Sequence, residues 1–113
     1  MTIENLKAYG ANTKEGLQRC LNNESFYIRM VKMIPGDANF QKLYAAIDAG
    51  DLETAFDAAH ALKGSVGNLA LTPISEPIFE LTELLRSKTE ADYKTLVEQV
   101  RKGRDELERL CAE

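Results

Sequence analysis

The stretch D-L-E-T-A-F-D-A-A-H-A-L-K-G-S-V-G-N-L, Asp51 to Leu69, decides how the rest of the chain is read. It reads as one helix. Asp51 follows Gly50 and can cap the N-terminus by accepting from backbone N–H groups that have no helical partner. Set out at about 100° per residue, Ala55, Ala58, Ala59, Leu62, Val66 and Leu69 fall on one face, which is predicted to be the core face. The alanines there let a neighbouring helix approach closely. Phe56, Asp57, His60, Lys63, Gly64, Gly67 and Asn68 fall opposite. The single histidine of the chain is therefore predicted to face solvent, with glycines at i+4 and i+7 on the same side. A glycine inside a helix costs roughly 1 kcal/mol relative to alanine. Two beside one histidine suggest backbone that something must approach.

These residue types suit phosphoryl chemistry. Imidazole side chains titrate at about 6.5, so a neutral ring nitrogen is a nucleophile at neutral pH. A phosphoryl group on it brings up to about two negative charges. Lys63, three residues on, can meet that charge, and Gly64 removes a side chain that would crowd the ring. Phe56, four residues back, supplies an apolar anchor. On position alone a solitary exposed histidine is an ordinary polar surface residue. The string H-A-L-K-G-S-V-G-N-L is what favours chemistry.

At His60, Lys63, Gly64, Ser65, Asn68 and Leu69 the sequence resembles the histidine phosphotransfer (HPt) domain family, whose core pattern is H-x-x-K-G, small residues and an apolar helix end. The motif is short, but specific when late in a long amphipathic helix of a small all-helical chain. The resemblance extends over most of the chain. One departure is Ala70, where members often carry glycine, and another is Pro77 in the following helix. The resemblance implies a phosphocarrier in a multistep phosphorelay. A response-regulator receiver domain, phosphorylated on aspartate, docks over His60, and the ring accepts the phosphoryl group at Nε2. A second receiver then collects it. The aspartate and Mg²⁺ belong to the receiver, so no cofactor is expected on this chain. Partners are receiver domains, a hybrid sensor kinase, or both.

The bounds agree. A length of 113 residues suits one domain, 1–113, with a modest core. The composition, 44% hydrophobic and 28% charged, is that of an ordinary globular protein. The net charge of −4, without a basic block, argues against nucleic acid as a partner. No apolar run is long enough to span a membrane, and M-T-I-E-N-L-K carries no secretion signal, so a cytoplasmic location is expected; the chain is also expected to be a monomer. Cys20 and Cys111 read as small apolar residues rather than a disulfide or metal site. No metal site is expected, because a metal hydrolase needs a second histidine and a carboxylate pair. No phosphate-binding loop of the G-x-x-x-x-G-K-[ST] type is present, so autophosphorylation is not expected and the chain is not read as an enzyme.

Along the chain the pattern is helices and short turns. Thr2 precedes a short helix over 3–9, and Asn12 with Glu15 resembles a capping box for 13–21. A helix over 24–34 carries the stripe Phe26, Tyr27, Met30, Val31 and Ile34, ended by Pro35-Gly36. Arg29, Lys32 and Met33 fall off that stripe and are candidates for partner contact. Four longer helices are predicted near 37–49, 51–70, 73–87 and 90–112, capped by Asp37, Asp51, Thr72 and Thr89. Pro73 sits at the first helical position of the third, and Pro77 bends it or delays its regular start. Short connections make successive helices antiparallel neighbours. The expected fold is all-α, an up-down four-helix bundle over about 37–112 with additional short N-terminal helices. His60, Lys63 and Gly64 are the candidate phosphoryl site, and Phe56, Asp57, Gly67 and Asn68 its partner-binding surround. Two other classes stay open: a helical adaptor in which His60 is incidental, and an enzyme using His60 as general base. The second would need a concave site with another titratable group.

Overall fold

Six of the seven helices begin on a side chain that can stand in for a missing backbone acceptor. Thr2, Asn12, Asn23, Asp37, Asp51 and Asp92 each accept from a backbone N–H two or three residues on. The computed structural model describes all 113 residues. Its helices are α1 (Ile3–Tyr9), α2 (Thr13–Arg19), α3 (Glu24–Met33), α4 (Ala38–Ala49), α5 (Leu52–Asn68), α6 (Thr72–Arg86) and α7 (Tyr93–Cys111). A 3-10 turn, Ile34–Gly36, follows α3. There is no strand, and no helix is long and apolar enough to cross a membrane.

α5 packs on α4 and α6, α6 packs on α7, and α7 returns to α4. This is a helical bundle with one continuous core, from Leu6 to Leu107. All six residues predicted for the core face of α5 are buried. In α3, Tyr27 and Val31 are buried, as is Ile34 in the turn, but Phe26 is 38% exposed. The stripe is narrower than predicted, because α3 covers the bundle from one side only. Phe26 lies at the margin, with the Arg29 guanidinium 5.7 Å from its ring centre. Cys20 is buried and Cys111 half-buried, and both are free thiols.

Two cap assignments change. α6 starts at Thr72, not Pro73, and Leu71 takes the cap position with no side-chain bond. The Leu71 carbonyl accepts from the Ile74 and Ser75 N–H groups while its side chain is fully buried. Packing therefore holds this helix start where a polar cap was expected. α7 is capped by Asp92, which accepts from the Thr95 N–H at 3.1 Å, and not by Thr89. The connection from α6 is accordingly six residues, 87–92, rather than three.

The end of α5 explains Ala70. Ala70 stands at φ 54°, in the left-handed region. Its N–H donates to Gly67, and the Leu71 N–H donates to Val66, the pairing of a Schellman C-terminus. Alanine in this conformation costs roughly 1–2 kcal/mol relative to glycine. The methyl group is buried, which returns about 0.8 kcal/mol.

Pro77 does not break α6. It is buried inside the helix and cannot donate to the Pro73 carbonyl one turn back. That carbonyl instead lies against Gly103 of α7. Tyr9 of α1 reaches the same place and donates its hydroxyl to the Gly103 carbonyl at 2.7 Å. Tyr27 of α3 donates likewise to the Leu69 carbonyl at 2.9 Å. Both hydroxyls must stay protonated to donate. Burial pushes the Tyr27 hydroxyl up to about 12, and burial with the nearby Glu106 carboxylate pushes Tyr9 higher still. The stability they contribute is complete below the ordinary tyrosine value of about 10 and is lost in alkali as pH rises through the folded values.

A Cβ at Gly103 would stand 2.9 Å from the Pro73 carbonyl oxygen and 3.1 Å from Ile74 Cγ1. Overpacking of this kind costs about 1–3 kcal/mol, against a helix-propensity gain of about 1 kcal/mol. Gly103→Ala should lower the thermal midpoint. A midpoint at or above that of the unsubstituted chain would contradict the close approach of α6 and α7.

Candidate functional site

The Asp51 carboxylate that starts α5 accepts from the Thr54 N–H at 3.1 Å. Bonds from the Thr54 hydroxyl and amide hold its carboxyl below the usual range. The cap is therefore in place above the ordinary carboxylate value and weakens as pH falls through the lowered one. Two turns further on, His60 is exposed. The Phe56 ring stacks on the imidazole, with centroids 5.6 Å apart and planes 16° from parallel. Phe56 is itself half-buried against the core, so its ring backs the imidazole from the N-terminal side. The Arg86 guanidinium of α6 lies 5.3 Å from the Phe56 ring centre.

Lys63 is half-buried, one turn beyond His60. Its ammonium stands 3.9 Å from Glu83 Oε1 and 5.6 Å from the centre of the Phe79 ring, both on α6. Glu83 also faces Arg86 Nε at 3.7 Å. One carboxylate thus spans the lysine beside His60 and the arginine over Phe56. Half-exposed pairs at such distances are worth under about 1 kcal/mol, so Lys63 can leave Glu83 readily.

The two glycines differ. Gly64 is exposed, and no atom would lie within 4 Å of a Cβ there. Gly67 is half-buried: Phe79 covers it, and the Arg19 guanidinium of α2 donates to its carbonyl. The open backbone read from the sequence is real at Gly64, whereas the chain itself covers Gly67. Asp57 and Asn68 are exposed on the same side of α5.

His60, Lys63, Gly64 and Gly67 form one wall of an open cleft of about 430 Å³. Thr72, Ser75 and Phe79 of α6 form another, and Glu15 and Arg19 of α2 close the third side. Arg19 is ion-paired with Glu15 as well as bonded to Gly67. A second cleft, about 310 Å³, lies beyond Phe56 and is lined by Arg86 and Lys88 among others. No group of three His, Cys, Asp or Glu side chains is placed to hold a metal ion.

The residues of α5 were legible from helical phase. Glu83, Phe79, Arg86 and Arg19 were not, because each arrives from another helix. The exposed aromatic Phe79, on the polar face of an otherwise regular α6, is the one sequence signal that could have found the second wall.

A protein-family model described as "Hpt domain" matches residues 36–113, more than half of the chain. Neither a curated protein nor a solved structure matches it.

Gly64→Ala should stabilise the fold by up to roughly 1 kcal/mol, because nothing obstructs the methyl group. Gly67→Ala should give less or nothing, since its Cβ would meet Phe79 Cζ at 3.1 Å. Lys63→Ala should change stability by no more than about 0.5 kcal/mol. Urea unfolding of the three variants measures these differences, and equal gains at both glycines would show that Phe79 does not cover Gly67.

Proposed function

The chain belongs to the Hpt domain family, and from that membership we propose that His60 is the phosphoryl-carrying residue of a multistep phosphorelay. Hpt domains are phosphocarriers that work with receiver domains and kinases; the residue roles and the direction of transfer that follow are our reading. The observation that carries it is the placement of the only histidine. His60 stands on the uncovered face of α5, with Lys63 one turn on and clear backbone at Gly64.

A receiver domain phosphorylated on aspartate docks over this face. The His60 ring attacks phosphorus, an N–P bond forms, and the P–O bond to the receiver's carboxylate breaks. The receiver keeps its carboxylate and its Mg²⁺. Phe56 limits the tilt of the ring, which favours an in-line approach. Lys63 exchanges Glu83 for the phosphoryl oxygens and offsets part of their charge. Gly64 leaves room for the receiver beside the ring, while Phe56, Asp57, Gly67 and Asn68 frame the docking area. The reverse sequence of bonds hands the group to a second receiver. This chain contributes the acceptor and its surroundings, and the partner contributes most of the catalytic groups.

Label from a phosphorylated receiver should appear on His60 alone, be labile in acid and survive mild base. Label that persists in His60→Gln, or that is stable in acid, overturns the assignment. Lys63→Ala should transfer more slowly or hold the group for less time, with little change in folding. Gly64→Gln should fold yet transfer poorly, which a plot of transfer rate against receiver concentration measures. Transfer at the unsubstituted rate would remove the steric role of Gly64.

A further inference from the structure

The cleft beside His60 has a wall that the H-x-x-K-G motif does not supply. Ser75 of α6 lines it and is only 7% exposed, yet its hydroxyl has no hydrogen-bond partner in the chain. Thr82 on the same helix shows the usual arrangement, its hydroxyl donating to the Ile78 carbonyl at 2.7 Å. The one fully enclosed side-chain polar atom without a partner is the Tyr44 hydroxyl. The Ser75 hydroxyl is therefore not sealed in, and the opening it lines is the cleft. A nearly buried hydroxyl with no partner in the chain and open only to the cleft has its donor available to whatever the cleft holds, water or ligand.

Two cations line the same space. Arg19 uses one donor on the Gly67 carbonyl and one on Glu15, which leaves three of the five donors of a guanidinium. The Lys63 ammonium stands 3.9 Å from Glu83, too far for a hydrogen bond, and keeps its three donors. The one carboxylate on the wall, Glu15, is already paired with Arg19 and accepts from the Asn12 amide at 3.2 Å. Glu83, 3.9 Å from Lys63 and outside the lining, is shared with Arg86, so three cations, Arg19, Lys63 and Arg86, stand against two carboxylates, Glu15 and Glu83, around the cleft. At about 430 Å³ the cleft has room for a small anion and several waters. Arg19 lies outside the residues 36–113 that the family model matches, so that match says nothing of the α2 wall.

We propose that this cleft is a binding site for a phosphate-class oxyanion, held by the Ser75 hydroxyl, the unspent donors of Arg19 and the Lys63 ammonium. The anion has two possible sources: the phosphoryl group carried on His60, which rests on the phosphocarrier reading, and free inorganic phosphate, which does not. Either presents the tetrahedral oxygens that this donor set fits.

The test uses the full chain with Ser75→Ala, Arg19→Gln and Arg19→Lys. Ser75→Ala removes a hydroxyl that has no partner to lose, so it keeps the test valid if Arg19→Gln fails to fold. Inorganic phosphate is titrated at constant ionic strength against a chloride control, following the Arg19 guanidinium and His60 ring signals by NMR. In parallel, His60 is charged with phosphoramidate and the loss of the phosphoryl group is timed. Saturable shifts that weaken about tenfold in Ser75→Ala and Arg19→Gln, and less in Arg19→Lys, establish a site for the free ion. Loss of the phosphoryl group several-fold faster in those variants, without phosphate shifts, establishes a site for the carried group alone. No saturable shift together with an unchanged lifetime in Ser75→Ala overturns the proposal, as do shifts that neither substitution alters. If phosphoramidate does not charge His60, the phosphate titration decides alone. Failure of the phosphocarrier reading would look different: His60 would not be charged by a phosphorylated receiver, whatever the phosphate titration gave.

Discussion

α5 has to bury Ala55, Ala58, Ala59, Leu62, Val66 and Leu69 against its neighbours while leaving the side with His60 and Gly64 open, and most of the chain is arranged by that division. The three alanines let α4 and α6 pack closely, so the helix is held firmly from behind. The exposed side can then afford residues chosen for chemistry, including a glycine that lowers helix propensity at Gly64. A helix of such composition alone would be marginal in water, and burial of its apolar face supplies the stability.

The same helix needs its C-terminal carbonyls satisfied, and the N-terminal segment does this. Arg19 donates to Gly67, Tyr27 to Leu69, and the Asn12 N–H to Ala70. The Gly67 carbonyl also accepts from the Ala70 N–H, so Arg19 adds a second partner there, whereas the buried Leu69 carbonyl, left without Tyr27, would cost on the order of 1–3 kcal/mol. α1 to α3 are thus tied to the end of the helix that carries His60, and in being tied there they add a wall to its cleft. Arg19 joins the two roles, since its guanidinium both donates to the Gly67 carbonyl at the negative end of the α5 dipole and faces the space beside His60.

Around His60 the electrostatics are loose by design of distance and exposure. Glu83 lies between Lys63 and Arg86 at 3.9 and 3.7 Å without a tight bond to either. Pairs this open are screened by salt and exchange partners at little cost. Phe56 and Phe79, by contrast, place apolar rings beside the histidine and the lysine. Apolar rings beside weakly paired charges suit the proposed task of accepting and giving up an anion.

The sequence by itself determined the helices, most of their caps and the two faces of α5, because periodicity and capping act within one or two turns. His60, Lys63 and Gly64 could be placed on the open face for that reason, and the H-x-x-K-G resemblance gave the family. Tertiary structure alone decided the rest. Tyr27 meets Leu69 from 42 residues away, Arg19 meets Gly67 from 48, and Tyr9 meets Gly103 from 94. Leu71 displaced Thr72 as the cap of α6 because its side chain is buried, and Phe26 left the core because α3 covers only one side of the bundle. Phe79 covered Gly67, which phase analysis had left bare. Phase along one helix says which way a residue points, but what stands in front of it depends on how other helices pack, and no local pattern carries that information.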